Sequence, residues 1–164
     1  FADGTLTHSE VLCDHRFDDR YALAAHLVEK LADVGSIVTW NVSFERRMLR
    51  HLAEHFPEFA EALESIILRL VDLLPIVKNN IQHFAFRGSH SLKAVAPVLS
   101  EELSYAGLEI SDGNEASGAF ALMFRGIIPQ IEIPQKRMQL LDYCRNDTAA
   151  TLAILAALRR FGEE

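Results

Sequence analysis

Two short segments place acidic groups where regular structure changes. Asn41-Val42-Ser43-Phe44-Glu45 stands where a β-branched and aromatic run gives way to a helical pattern, and Tyr143-Cys144-Arg145-Asn146-Asp147 stands in the last helical stretch. Tyr143 and Asp147 are four residues apart and share a face if that stretch is helical. A phenol and a carboxylate on one face can address a single metal-bound water. Each residue also has a plainer reading by itself. Glu45 could be a helix-start acid, Asp147 an N-cap, Tyr143 a half-buried packing residue and Asn41 a turn former.

Other residues could bind rather than react. Arg87, Ser89 and Lys93 flank Gly88 at a predicted helix start, where free backbone N–H groups and positive charge favour an anion. A simple cap by Ser89 or Ser91 explains the same serines. Arg46, Arg47 and Arg50 could contact phosphates, or form a solvated face pairing with nearby acids. His51-Leu52-Ala53-Glu54-His55 spells H-x-x-E-H, the zinc motif of inverted metalloproteases, with both imidazoles on one helical face. Leu52, expected to face the core, puts those histidines at the flanks of the helix.

The elements that must hold these groups follow from periodicity. Ser9 to Cys13 reads as an edge strand, within a segment from Phe1 to Cys13 that resembles the tail of a hairpin. Asp18 and Asp19 are cap candidates for a helix to about Ala32, whose Leu23, Leu27, Val28 and Leu31 form one stripe, with Gly35 stopping it. Ser36 to Trp40 reads as a buried strand. The next helix starts near Ser43, is expected to turn Phe44, Met48, Leu52 and Phe56 inward, and ends before Pro57. A second amphipathic helix covers Glu58 to about Ile67, and Leu68 to Leu74 reads as a strand. Lys78 to Arg87 lacks periodicity and reads as a loop. Helices are expected over Ser91 to Leu99, with Pro97 disturbing the last turn, and from Asn114 or Glu115 to Arg125. Pro129 to Pro134 is a connector, and Gln135 to Phe161 is helical, with a break or new cap allowed at Asp147. Alternating helices and short buried strands indicate an α/β fold, helix-rich around a small mixed, partly parallel sheet.

The whole chain fits one domain: 164 residues, about half of them apolar, suit a single core. Nothing resembles a membrane span or a signal peptide. Two distant cysteines, Cys13 and Cys144, cannot form a disulfide framework, which points to a reducing, cytoplasmic setting. A net charge of −7, from 16 basic and 23 acidic residues, argues against coating nucleic acid through bulk charge. It leaves room for a metal-dependent nuclease, which gathers carboxylates in its site and touches few nucleotides.

Taken in order, the motifs carry a resemblance. Tyr143 to Asp147 is similar to the Tyr-x-x-x-Asp third motif of the DEDDy branch of the DnaQ-like 3'-5' exonucleases, and Asn41 to Glu45 resembles their Asn-x-x-Phe-Asp second motif, with Glu45 in place of Asp. Asp142 stands where the sister branch carries His. Val71-Asp72-Leu73-Leu74 and Ser89-His90-Ser91-Leu92-Lys93 resemble the strand and helix start between those motifs. The segments Asn41 to Glu45, Phe86 to Lys93 and Tyr143 to Asp147 also resemble a bacterial domain of unknown function in that superfamily, often attached behind a RecB-like nuclease domain.

The resemblance implies an RNase H-like fold and metal-dependent hydrolysis of nucleic-acid phosphodiesters. It implies two Mg²⁺ or Mn²⁺ ions, Glu45 and Asp147 as metal carboxylates, and Tyr143 orienting water. Asn41, Arg87, Ser89 and Lys93 are the substrate-contact candidates it brings forward. Four carboxylates are normally needed, two of them from an Asp-x-Glu on the first strand. No Asp of this chain has an acid two positions later. The expectation is therefore a domain lacking its opening strands, inactive unless another segment or chain supplies them, with an exposed sheet edge open to self-association. The rivals are a noncatalytic module binding nucleic acid or protein on the same scaffold and, third, the zinc protease.

Overall fold

The computed structural model describes residues 6–32, 35–100, 109–110 and 112–163. β1 (Ile37–Thr39) and β2 (Leu70–Asp72) pair in parallel, with Ile37 opposite Leu70, Val38 opposite Val71 and Thr39 opposite Asp72. Parallel neighbours need a long crossover. It is supplied by α2 (Ser43–His55), a 3₁₀ turn at Pro57–Phe59 and α3 (Ala60–Leu68). Before β1 comes α1 (Arg20–Leu31), and α4 (Leu73–Asn80) follows β2 without a break. A 3₁₀ turn at Phe84–Phe86 leads to α5 (Leu92–Leu99), then α6 (Gly113–Phe124) and α7 (Ile133–Glu163).

Side-chain alternation along β1 sorts the helices into two layers. Ile37, with Leu70 of β2, packs into a cluster built by Ala24 of α1, Leu49 and Leu52 of α2, and Leu63, Ile66 and Ile67 of α3. Val38 and Trp40 point the other way, into a cluster of Leu73, Val77, Phe86, Val95, Ala96, Ala150 and Ile154 from α4, α5 and α7. Leu63, Ile66 and Ile154 are essentially inaccessible. Each such side chain contributes about 1.5–3 kcal/mol by leaving water, so the sheet is held mainly by what lies on its two faces. A third cluster, around Ile110, Met123, Ile133 and Leu140, ties α6 to the first half of α7.

Several expectations need correction. The sheet is helix-flanked as expected, but among the described residues it is purely parallel rather than mixed. Ser9 to Cys13 forms no strand. Its backbone is claimed by α7 instead, because the Arg137 guanidinium donates to the carbonyls of Leu12 and Cys13 at 3.0 and 2.9 Å. Residues 1–5 of the supposed hairpin tail lie outside the described residues. The strand expected over Leu68 to Leu74 is cut to three residues, and the expected loop begins later, since α4 starts at Leu73 and runs to Asn80. Asp72 caps that helix, its side chain accepting the Leu74 N–H. Pro75 falls in its first turn, where a missing N–H costs nothing.

In α2 the buried positions are Leu49 and Leu52, while Phe44 and Met48 are exposed. The inward arc is thus Glu45, Leu49 and Leu52, which fall within roughly 60° of one another at about 100° per residue. Helix α7 is continuous for 31 residues, so Asp147 is interior to it and caps nothing. No helix among the described residues is long and apolar enough to cross a membrane.

Candidate active site

The turn from β1 into α2 is fixed by one carboxylate from β2. Asp72 accepts the backbone N–H groups of Asn41 and Val42, at 2.9 and 3.1 Å, in addition to that of Leu74. Asn41 adopts the left-handed conformation (φ 67°), which asparagine tolerates better than most residues. Its Oδ1 accepts the Ser43 hydroxyl at 2.7 Å. The chain therefore enters α2 at a set angle, and Glu45, in the first turn, joins the inward arc. Burial pushes the Glu45 carboxyl above its ordinary value, and the charge of Asp72 adds to the rise.

On the other side stands α7. Tyr143 and Asp147 share a face there, with the Asp147 carboxylate near enough to the phenol to act on its proton. Burial first, and then Asp147, push the phenol well above its ordinary range. The Lys93 ammonium of α5 lies 5.1 Å from the centre of the Tyr143 ring, a cation–π distance.

Glu45 and Asp147 line the same cleft, of about 600 Å³, between β1 and α7. Val38, Thr39 and Trp40 form its β1 wall and Thr151 and Leu155 its α7 wall. Glu45 Oε2 and Asp147 Oδ1 are both buried without a hydrogen-bond partner. Orphaned carboxylate oxygens are costly unless a proton, a donor or a cation meets them. As a donor set they suit a hard divalent ion. They fall short of a two-ion centre, because among the described residues no three His, Cys, Asp or Glu side chains form a group able to hold a metal.

The substrate-contact candidates divide. Arg87, Ser89 and Lys93 line a second groove of about 550 Å³. Arg87 and Gly88 both have positive φ, 50° and 77°, which folds the chain back between Phe86 and α5. Ser89 Oγ accepts the Ser91 N–H at 3.2 Å, and Ser91 Oγ caps α5 through the Ala94 N–H. The capping account of these serines is thus realised. Asn41 lines neither hollow and works as a turn residue. Asp72 is the positioning residue that sequence reasoning passed over. Its signal was an acid at the junction of an apolar run and a helix, the position of an N-cap.

The H-x-x-E-H segment does not gather into a zinc site. His51 Nδ1 lies 3.6 Å from Glu54 on an exposed face. His55 Nε2 instead meets the Arg20 guanidinium at 3.2 Å, and that positive charge opposes a cation at the same nitrogen.

Comparison with known proteins places the chain. Residues 2–91, a little over half of it, match the family model described as "Domain of unknown function (DUF2779)". The chain belongs to the DUF2779 family. This DUF2779 chain is similar to "Uncharacterized protein MG366 homolog" of Mycoplasma pneumoniae, with 29% identity over 147 residues, 82% of this chain and 22% of the relative. It is likewise similar to "Uncharacterized protein MG366" of Mycoplasma genitalium, with 29% identity over 132 residues, 73% of this chain and 20% of the relative. It spans about a fifth of the length of the curated relatives it matches. No solved structure matches it. The DUF2779 match holds the Asn41–Glu45 turn, Asp72 and Arg87–Ser89, whereas Tyr143 and Asp147 lie beyond it.

Proposed function

We propose that the cleft between β1 and α7 is the reaction centre of a 3'-5' exonuclease-like phosphodiester hydrolase of the DnaQ-like, RNase H-like kind. The observation that carries this reading is the meeting of Glu45 and Asp147, from opposite halves of the chain, in one cleft beside the Tyr143 phenol. Mg²⁺ or Mn²⁺ is the cofactor class those carboxylate oxygens suit. They amount to half of the donors a two-ion nuclease uses. In this reading the remaining carboxylates come from residues outside those described, in the natural-length protein or in another chain.

Tyr143 is held protonated by burial and by Asp147, so it acts as a donor and not as a base. It would hold a water or phosphate oxygen against Asp147. Lys93, against the ring, keeps the phenol in place, and with Arg87 and Ser89 it offers polar contacts to the strand entering from the neighbouring groove. The substrate class is nucleic acid with a free 3' end. The greater length of the Mycoplasma relatives leaves room for a RecB-like nuclease domain beside this one, and the cytoplasm is the expected compartment.

The shortfall of donors favours one second reading, a noncatalytic module that keeps this scaffold to bind nucleic acid or protein. Calorimetric Mn²⁺ titration and hydrolysis of a 5'-labelled oligonucleotide, both on the natural-length protein, separate the two. Glu45→Gln and Asp147→Asn should each weaken Mn²⁺ binding and cut 3'-5' hydrolysis about 100-fold or more. Unchanged metal affinity and unchanged hydrolysis in both variants would overturn the nuclease assignment.

A further inference from the structure

We propose that the outer face of α2 is a track for the phosphate backbone of a single-stranded nucleic acid. Choosing nucleic acid over another polyanion rests on the nuclease reading above; the charge geometry stands without it. Glu45, Leu49 and Leu52 take the inward side of α2, and Arg46, Arg47, Arg50 and His51 are left around a separate groove of about 360 Å³ on the outside.

Several arginines elsewhere in the molecule are engaged by acids or carbonyls, whereas α2 gathers three that are not. Arg16 is paired with Asp14, Arg20 with Asp18, and Arg145 with Glu10 and Asp142, while Arg137 serves two carbonyls. Among the described residues the guanidinium groups of Arg46, Arg47 and Arg50 have no carboxylate or carbonyl partner. In a chain of net charge −7, acids are plentiful enough to have neutralised them. Glu54 borders the groove, and its carboxylate is turned to His51.

An exposed aromatic adds a second, independent feature. Phe44 is 56% exposed, and the Arg47 guanidinium lies 5.7 Å from its ring centre. Cations that follow a backbone, interleaved with an aromatic face on which a base can stack, are what sequence-tolerant single-strand binding requires. Phe44 directly precedes Glu45, so the track ends at the turn that delivers the cleft carboxylate.

The test is fluorescence anisotropy of a labelled oligothymidylate with the natural-length protein in EDTA, across a range of salt. EDTA removes hydrolysis from the measurement. Changing Arg46, Arg47 and Arg50 together to Gln should weaken binding at least about tenfold and make the log K against log salt slope shallower by about two. The triple Lys variant should retain most of the affinity. A control carrying Lys78→Gln, Arg125→Gln and Arg160→Gln removes the same charge from exposed positions elsewhere and should change affinity by less than about threefold. Phe44→Ala should weaken binding without altering the salt slope. Equal losses in the two Gln triples, or none in the α2 triple, would overturn the proposal; in the latter case an acidic protein becomes the fitting partner for the face. Failure of Glu45→Gln and Asp147→Asn to affect hydrolysis would remove the nuclease reading and leave this binding result standing.

Discussion

The carboxylate of Asp72 accepts the backbone N–H of Asn41 at 2.9 Å, although 31 residues separate them in the chain. The same side chain receives Val42 and Leu74, so it joins the end of β1, the entry to α2 and the entry to α4. Asp72→Ala leaves three N–H groups without that acceptor and should cost about 2–3 kcal/mol in urea unfolding. Asp72→Asn keeps one carbonyl oxygen and should cost about half as much. A midpoint equal to wild type in the Ala variant would mean that the turn is held by other groups.

Glu45 predicts a pH effect of defined sign. Its folded carboxyl titrates above the ordinary glutamate value of 4.5 because burial, and secondarily Asp72, disfavours the ionised form. It therefore takes no stability away below pH 4.5, and takes progressively more as pH rises through its folded value. Glu45→Gln should raise the urea midpoint at pH 7.5 and lose that advantage at pH 4. A variant less stable than wild type at pH 7.5 would contradict a net cost of burying the Glu45 charge.

Tyr143→Phe keeps the ring against Lys93 and removes only the group facing Asp147. With a competent nuclease the expected loss is about tenfold or more in kcat with KM changed less than about threefold. The phenol is pushed far above its ordinary value, so the variant's rate should follow wild type in shape between pH 7 and 9. If wild type gains a basic limb that the variant lacks, the phenol is a base.

The register of α2 can be tested by packing. Leu49→Ala and Leu52→Ala, at positions 7% and 8% exposed, should each cost about 2–4 kcal/mol. Met48→Ala, on the exposed side, should cost less than about 1 kcal/mol. A larger cost at Met48 than at Leu49 would restore the inward face that apolar spacing first indicated.

That last case shows where sequence was readable. The Ser36 to Trp40 run announced β1, the stripe through Leu23 to Leu31 announced α1, and the Tyr143 and Asp147 spacing put both on one face because α7 is regular there. Phe44 and Met48 misled because they keep helical spacing with Leu52, whereas burial selects the face that also carries an acid. The β2 to α4 boundary was hidden because the run from Leu70 to Ile76 is almost wholly apolar and lacks a period. Ser9 to Cys13 looked like a strand because nothing local reveals that Arg137, 124 residues from Cys13, will take its carbonyls. Asp72 was visible as a residue, yet its reach to Asn41 depends on parallel pairing that no local pattern encodes.

The unbroken course of α7 has a mechanical corollary. Leu140 is anchored in one apolar cluster and Ile154 in another, and Asp147 lies midway on the rod between them. Removing one residue between those anchors would shift the two halves by about 1.5 Å and rotate them by about 100° relative to each other. Either anchor could then be satisfied only by giving up the other. The spot at which the acid meets the cleft is triangulated from both ends of a stiff bar, and local repacking around residue 147 has little freedom to move it.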